Sequence, residues 1–455
     1  MLRAKQSTFA ALIIVSLLLV LATTASARDL KTGVPKREGM SQQRLERIDT
    51  HMQEQLDAGI MVGGLGMVSR NGKIIYKETY GLSDRETGKP MTEDAIFRIY
   101  SMTKPITGVA LMMLYEEGLF SLNDPVAKYL PELANLQLAV STASGDTGMI
   151  SDGTSSRGIG TGDESKVGET RAPKRQPTIR DLMRHTAGFT YGIFGDTEVD
   201  KLYREANLFD QTKLEDFVKV LGTLPLQYEP GTRWHYSVSV DVQGRLVEVL
   251  SGMSLGEFMQ QRIFDPLEMK DTGFVIAGEK LGRLAQLYAP KGSEIKKGQA
   301  WKRSKSLELE LADPEISDGF INGGTFESGG GGLLSTAEDY MRFCLMMLNG
   351  GELNGARLLS PKTVQLMTAN HTGDMGNVFG RKGVGFGLDF AVILDVGATG
   401  EIGSVGEYNW GGAAGTRFWI DPEEDLVGVF MVQSIPHQTR LAAKFRQLTY
   451  QAIVE

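Results

Sequence analysis

Apolar side chains near the start of the chain recur at helical spacing. Leu45, Ile48, Met52 and Leu56 lie three or four positions apart, with polar residues between them. Such spacing places the apolar side chains on one face, so the pattern predicts an amphipathic helix over 41–59. A second apolar stretch ends before a glycine and predicts a helix over 101–117.

Strand-like runs flank short turns at both ends of the chain. Near the N-terminus, Asn71 and Gly72 separate GLGMVSR from KIIYKETYG, and this pair favours a type I′ turn. Near the C-terminus, TRFWIDP and LVGVFMVQ flank residues 423–425, and a final helix is predicted over 439–453. A helix precedes a hairpin at the N-terminus, and a hairpin precedes a helix at the C-terminus. We therefore predict an α/β fold of the α+β type, with one antiparallel sheet built from both termini, flanking helices and an inserted, mostly helical region.

Two segments differ in composition from the rest of the chain. Residues 1–27 combine two basic residues, an apolar run and a small-residue motif, which are the three parts of a secretory signal peptide. Residues 141–170 are mostly Gly, Ser and Thr, so they predict a surface loop that buries little apolar area. We expect an exported protein, periplasmic or secreted, with one domain over 28–455 and no stable membrane anchor after signal cleavage.

Charge and cysteine content exclude several classes of protein. The formal net charge is -8 and the pI is about 5.4, so the chain lacks the basic surface that nucleic-acid binding requires. Cys344 is the single cysteine, which excludes a disulfide within the chain. The five histidines show no metal-ligand spacing. We therefore expect no metal and no organic cofactor.

The motif S-x-x-K is the strongest chemical signal, because H-E-x-x-H and phosphate-binding glycine motifs are absent. It occurs at 101–104 and at 293–296, and Ser293 lies in a polar stretch that predicts a solvated loop. Ser101 instead begins an apolar helix, where spacing places Lys104 on the same face. The helix N-terminus favours a serine alkoxide and disfavours a charged lysine. On the residues alone, a helix-capping serine beside an incidental lysine remains the alternative.

The segment around Ser101 resembles a known family. IYSMTKPITGVALMMLYEEGLFSLNDPVAKYLPE is similar to the nucleophile segment of class C β-lactamases, penicillin-binding proteins and family VIII carboxylesterases. Four further segments resemble family segments in the same order: TIRDLMRHTAGFTYG, WHYSVSVDVQGRLVEVLSGMSL, GGGGLLSTAEDYMRFCLMMLNGGELNG and WGGAAGTRFWIDPEEDLVGVFM. The resemblance implies the β-lactamase/transpeptidase-like fold and a serine hydrolase closest to the family VIII carboxylesterases.

The same resemblance implies that Tyr236 joins Ser101 and Lys104 as a catalytic residue. A nearby cation favours a phenolate, so Lys104 is expected to assist Tyr236 or to share the role of base with it. Lactamase relatives carry Asn where this chain has Val238, which cannot donate a hydrogen bond to a lactam amide. Val238 is nevertheless expected among the substrate-binding residues. The alternatives are an aromatic core role for Tyr236 and a competing base at His235.

A third element implied by the resemblance is the run Trp410, Gly411, Gly412 and Ala413. Relatives that bind penicillin carry Lys-Thr-Gly or a His-based variant on this strand. The two glycines permit close approach of the backbone to a ligand. The N–H groups of Ala413 and Ser101 are expected to form an oxyanion hole. Trp410, Gly411 and Gly412 are expected to bind substrate, with Trp410 as an apolar wall in place of a cation.

These expectations point to a carboxylesterase that acts on a small-molecule ester through an acyl-enzyme on Ser101. The alternatives within the same chemistry are a β-lactamase and a D-amino-acid peptidase. A catalytically silent binding protein of the cell envelope is the alternative from another class. His185 is expected to be structural, although Ser101, His185 and Asp181 supply the residue types of a second possible triad.

Overall fold

The computed structural model of the protein describes most of the chain, namely residues 29–140, 169–276, 278–296, 298–316, 318–321, 326–373, 375 and 378–455. The predicted signal peptide at 1–27 lies outside the described residues, as does the predicted loop at 141–170 except for its last two residues. The assignment of one domain to 28–455 stays a prediction. No helix within the described residues has both the length and the apolar composition needed to cross a bilayer.

The described strands include long ones near both termini and short ones between them. In chain order they are β1 (Gly63–Arg70), β2 (Lys73–Asp84), β3 (Lys89–Pro90), β4 (Phe97–Arg98), β5 (Leu138–Ala139), β6 (Thr170–Arg171), β7 (Tyr288–Pro290), β8 (Leu309–Leu311), β9 (Leu334–Ser335), β10 (Glu352–Leu353), β11 (Ala356–Arg357), β12 (Val384–Phe386), β13 (Ala391–Ile393), β14 (Tyr408–Gly411), β15 (Arg417–Asp421) and β16 (Leu426–Val432).

The described helices concentrate between the two groups of long strands and at the termini. They are α1 (Gln42–Asp57), α2 (Thr103–Glu116), α3 (Ile179–Met183), α4 (Glu198–Glu205), α5 (Leu214–Leu221), α6 (Ser239–Ser251), α7 (Leu255–Met259), α8 (Asp265–Leu267), α9 (Asp318–Ile321), α10 (Ala337–Leu348), α11 (Pro361–Thr368), α12 (Val396–Thr399) and α13 (Leu441–Tyr450).

One antiparallel sheet joins the two ends of the chain, as the sequence predicts. Among the described residues it has eight strands in the order β12, β13, β14, β15, β16, β1, β2, β3. The strands β1 and β16 pair from Gly64 opposite Val432 to Arg70 opposite Leu426. The predicted turn at Asn71 and Gly72 is confirmed, because both residues have a positive φ, 52° and 68°.

The two faces of the sheet bury different helices. Leu45 and Ile48 of α1 and Phe445 of α13 join a cluster on one face, together with Val68 of β1. The neighbouring Met67 points to the other face, where the main core lies, because successive side chains of a strand alternate. There α10 packs on β1 and β16, and α2 packs on α6.

Three predicted boundaries are corrected by the structure. Helix α2 begins at Thr103, because Ser101 belongs to a separate 3₁₀ turn over Tyr100–Met102. The C-terminal helix covers Leu441–Tyr450 and is shorter than the predicted 439–453. The end of the predicted loop is not irregular, since Thr170–Arg171 pairs with β5 as a short strand.

Candidate active site

Ser101 lies where the short strand β4 leads into helix α2. Tyr100 has a φ of 42°, in the left-handed region that aromatic residues rarely adopt, and the chain turns there into the 3₁₀ turn that contains Ser101. Every side chain of α2 from Thr103 to Leu114 is buried, which anchors the helix in the core. Ser101 itself is partly exposed and borders a cavity.

Lys104 is fully buried beneath Ser101. Its Nζ donates hydrogen bonds to Ser101 Oγ at 3.2 Å, to Tyr191 OH at 2.8 Å and to the carbonyl oxygen of Gly330 at 2.5 Å. Three acceptors match the three donors of an ammonium group. The nitrogen also lies 4.7 Å from the ring centroid of Tyr236 and 5.2 Å from that of Tyr191, distances at which aromatic rings attract a cation.

Tyr236 lies just before helix α6 and completes the group around Ser101. Its hydroxyl donates to Ser101 Oγ at 2.7 Å. Its ring packs 5.6 Å from that of Trp410 and 4.8 Å from that of His185, measured between centroids. The structure therefore brings Tyr236 together with Ser101 and Lys104, from which it is distant in the sequence.

Two buried carboxyl groups lie near Lys104. Asp241 Oδ1 accepts hydrogen bonds from Ser328 Oγ at 2.5 Å and from the Gly330 N–H at 3.1 Å. Asp389 accepts one hydrogen bond, from Gln243 Nε2 at 3.1 Å. Burial raises the pKa of Asp241, and it raises the pKa of Asp389 well above its usual range.

The end of strand β14 lies against the segment that carries Ser101. Trp410, Gly411, Gly412 and Ala413 all line the same cavity as Ser101. A Cβ atom at Gly412 would collide with the carbonyl group of Ile99 and with the hydroxyl of Thr416. This contact requires glycine and fixes the distance between β14 and the Ser101 turn.

The cavity has an aromatic part and a cationic part. The apolar wall expected at Trp410 is larger than the sequence indicates, because five aromatic residues line it: Phe194, Tyr236, Trp301, Phe379 and Trp410. Five arginines also line the cavity: Arg303, Arg381, Arg417, Arg440 and Arg446. Glu401 lies among them and pairs with Arg381 at 3.2 Å. Trp410 thus stands where relatives that bind penicillin carry a cation, while the arginines bring positive charge to the cavity from other segments.

Val238 does not have the place expected of a substrate-binding residue. It is fully buried and belongs to the main hydrophobic core, where it immediately precedes α6. An apolar side chain at the start of a helix gains more from burial in this core than from exposure to the cavity. Its expected contact with substrate is therefore corrected to a packing role.

Among the described residues, His185, His235 and Ser293 are not hydrogen-bond partners of Ser101. His185 is buried against Tyr236 and Trp234, and burial holds its pKa well below the usual value. The alternative triad is not assembled, because Arg175 and Arg184 bind the Asp181 carboxylate. His235 packs on Tyr228, and burial lowers the pKa of His235 to about 4. Ser293 Oγ accepts a hydrogen bond from the Ser304 N–H within a loop.

Sequence reasoning missed Tyr191, Asp241 and the five arginines. Tyr191 and Asp241 both lie inside segments that resemble the family, so a residue-by-residue comparison with relatives was the signal that could have found them. The arginines come from separate elements and share no spacing. Within the described residues, no group of three His, Cys, Asp or Glu side chains is arranged to hold a metal ion.

The fold and this arrangement define a serine hydrolase of the beta-lactamase class. The sequence model of the Beta-lactamase family matches residues 48–451, so the chain belongs to that family. Esterase EstB of Burkholderia gladioli is 28% identical, with 82% of this chain and 86% of the relative covered. Lovastatin esterase of Penicillium rubens is 28% identical, with 88% and 96% covered. The solved structure of EstCE1, described as a hydrolase with promiscuous acyltransferase activity, is 24% identical, with 91% and 99% covered and a TM-score of 0.68.

We predict that Gly412→Ala separates strand β14 from the Ser101 turn. The new methyl group would press on the Ile99 carbonyl, two residues before Ser101. Overpacking of this kind costs about 1–3 kcal/mol, so we expect lower stability to urea and slower labelling of Ser101 by a fluorophosphonate. Gly411→Ala is the control, because its Cβ would lie 3.1 Å from the Thr416 carbonyl oxygen and 3.5 Å from Arg417 Cδ. Equal effects of the two substitutions would contradict the close contact at Gly412.

Proposed function

We propose that this serine hydrolase is a carboxylesterase that cleaves small acyl esters through an acyl-enzyme on Ser101. The observation that carries the proposal is the contact of Ser101 Oγ with both Tyr236 OH, at 2.7 Å, and Lys104 Nζ, at 3.2 Å. A nucleophile that has both a proton acceptor and a cation within hydrogen-bond distance is the arrangement that nucleophilic catalysis requires. Two relatives that are named esterases add support.

In the proposed reaction, Ser101 Oγ attacks the ester carbonyl while its proton passes to the phenolate form of Tyr236, with Lys104 assisting. Ser101 and Ala413 both border the cavity, and in the proposed reaction their N–H groups bind the negative oxygen of the tetrahedral intermediate. Collapse of this intermediate breaks the bond to the alcohol, which leaves with the proton from Tyr236. A water molecule then attacks the acyl-enzyme in the same way and releases the carboxylic acid.

A β-lactamase or D-amino-acid peptidase is the second candidate, and the arginines of the cavity favour it. Substrates of both classes carry a carboxylate, which arginine binds well. Two features support the esterase instead. Trp410 occupies the strand position where penicillin-binding relatives carry a cation, and Val238 offers no side-chain donor. The aromatic wall suits an apolar acyl or alcohol group.

We predict that Ser101→Ala abolishes covalent labelling by a fluorophosphonate, measured by intact mass. Hydrolysis of p-nitrophenyl butyrate falls by several orders of magnitude, because no other group forms the acyl-enzyme. Ser293→Ala is the matched control from the other S-x-x-K motif, and it keeps both labelling and turnover. Loss of labelling in Ser293→Ala with retention in Ser101→Ala would reject the site.

We predict that esters are preferred over β-lactams. A missing hydrogen bond to a charged group costs about 1.5–3 kcal/mol, which corresponds to roughly ten- to a hundredfold in rate. The ratio of kcat/KM for p-nitrophenyl butyrate to kcat/KM for benzylpenicillin is therefore expected to exceed roughly ten. A ratio below one would replace the esterase with the lactamase while leaving Ser101, Lys104 and Tyr236 in their roles.

Export is a separate part of the proposal and is supported by the three-part pattern of residues 1–27. Cleavage after the small-residue motif leaves a mature chain that begins at Arg28. N-terminal sequencing of the protein produced in a bacterial host with its leader is the measurement. Recovery of an uncleaved chain from the cytoplasm would contradict export.

A further inference from the structure

Asp241 has no role in the reaction described above, yet its contacts lead directly to Lys104. Its Oδ1 accepts the Gly330 N–H at 3.1 Å, and the carbonyl oxygen of the same residue accepts Lys104 Nζ at 2.5 Å. The space around Gly330 is closed on two sides. A Cβ atom there would lie 2.6 Å from Asp241 Oδ2 and 2.9 Å from Tyr191 OH. The position of Gly330 against Lys104 therefore depends on Asp241.

The charge of Lys104 also requires a partner, because a fully buried ammonium is costly without one. The titratable groups that face Lys104 from the surrounding elements are Tyr191, Tyr236, His185, Asp241 and Asp389. Tyr191 and His185 are neutral in their usual buried forms, and Tyr236 carries a negative charge only as the phenolate that accepts the proton of Ser101. Apart from that phenolate, the two aspartates are the groups of this set that supply negative charge when ionised.

The two aspartates differ in how well their surroundings stabilise a negative charge. Asp241 accepts hydrogen bonds from the Ser328 hydroxyl and the Gly330 N–H, both of which favour the carboxylate. Asp389 accepts one hydrogen bond, from the Gln243 amide, and among the described residues the Oδ2 atoms of both carboxyl groups have no hydrogen-bond partner. Burial raises the pKa of both groups, and it raises the pKa of Asp389 well above its usual range. The additional hydrogen bond therefore favours Asp241 over Asp389 as the carboxylate of the pair.

We propose that Asp241 is a positioning residue of this hydrolase, which fixes the Gly330 peptide and holds Lys104 as an ammonium against Ser101 Oγ. The inference rests on the proposed acyl-enzyme chemistry, although not on the choice of ester over lactam. With Lys104 charged and Tyr236 in its phenolate form, the proton of Ser101 passes to the Tyr236 oxygen, 2.7 Å away. The O–H bond of Ser101 breaks as its oxygen bonds to the substrate carbonyl carbon, and the ammonium stabilises the negative charge that develops nearby.

The test compares two matched substitutions, Asp241→Asn and Asp389→Asn. Each replaces a buried carboxyl group by an amide of the same shape, but only the first removes a negative charge under this assignment. The readouts are the pH profile of kcat/KM for p-nitrophenyl butyrate, the pH profile of fluorophosphonate labelling, and the melting temperature. In Asp241→Asn we expect the alkaline limb of both profiles to move down by about one pH unit, because the ammonium loses its counter-charge. Asp389→Asn keeps the profile of the unmodified protein.

A further variant separates positioning from charge. Ser328→Ala removes one hydrogen bond from Asp241 and leaves the carboxylate in place. A hydrogen bond stabilises a charged acceptor, so the same alkaline shift is expected in this variant, but smaller than in Asp241→Asn. If Asp241→Asn folds poorly, the shift in Ser328→Ala decides the question.

Three results would overturn the inference. One is an unchanged pH profile in Asp241→Asn, or a loss of rate that is equal at all pH values and follows the melting temperature. Another is an acid limb that moves to lower pH in Asp241→Asn together with a higher rate. That result would mean that the neutral amine of Lys104 is the active form. The third is an alkaline shift in Asp389→Asn instead. A protein that is labelled at Ser101 but does not hydrolyse esters would reject the esterase and leave the labelling test of Asp241 valid.

Discussion

The pairing of β1 with β16 is the interaction on which the rest of the structure depends. It joins segments more than 350 residues apart in the chain through a continuous ladder from Gly64 to Arg70. The ladder closes one sheet from two halves and creates the two faces on which α1, α13 and α10 pack. It also sets the position of β14, two strands away from β16, against the turn that carries Ser101. The site is therefore complete only when both termini have joined.

Within the fold that this sheet creates, the buried cation of Lys104 determines how the groups around Ser101 are arranged. Lys104 is held by a serine, a tyrosine and a backbone carbonyl that come from three separate segments. Each partner is a hydrogen-bond acceptor, so the charge of Lys104 stabilises all three around its Nζ atom. Such a network is stable only when every member is satisfied, because an unpaired polar group in a protein interior costs more than a hydrogen bond contributes. The glycines at 329–332 allow a backbone carbonyl, rather than a side chain, to fill one of these places.

The sequence predicts the frame well and the site in part. Helix α1, the turn at Asn71 and Gly72 and the sheet from both termini follow from local spacing, because periodicity and turn residues act within a few positions. The association of Ser101 with Lys104 is also local, at three positions. Tyr236 and the run from Trp410 to Ala413 were found by resemblance to a family, since no spacing joins them to Ser101. Val238 was misplaced because an apolar residue beside Tyr236 faces the core or the cavity according to the entry angle of α6, which tertiary packing decides.

The arginines of the cavity bear on the end of the reaction as well as on its beginning. Hydrolysis of a neutral ester converts the acyl group into a carboxylic acid, which is ionised at neutral pH. The acid is formed in a cavity that Arg303, Arg381 and Arg417 border, in a protein whose overall charge is negative. Attraction by these guanidinium groups opposes departure of the product, and dissolved salt weakens that attraction. Retention of the acid by the same cavity would link the turnover of the enzyme to ionic strength and to the concentration of its own product.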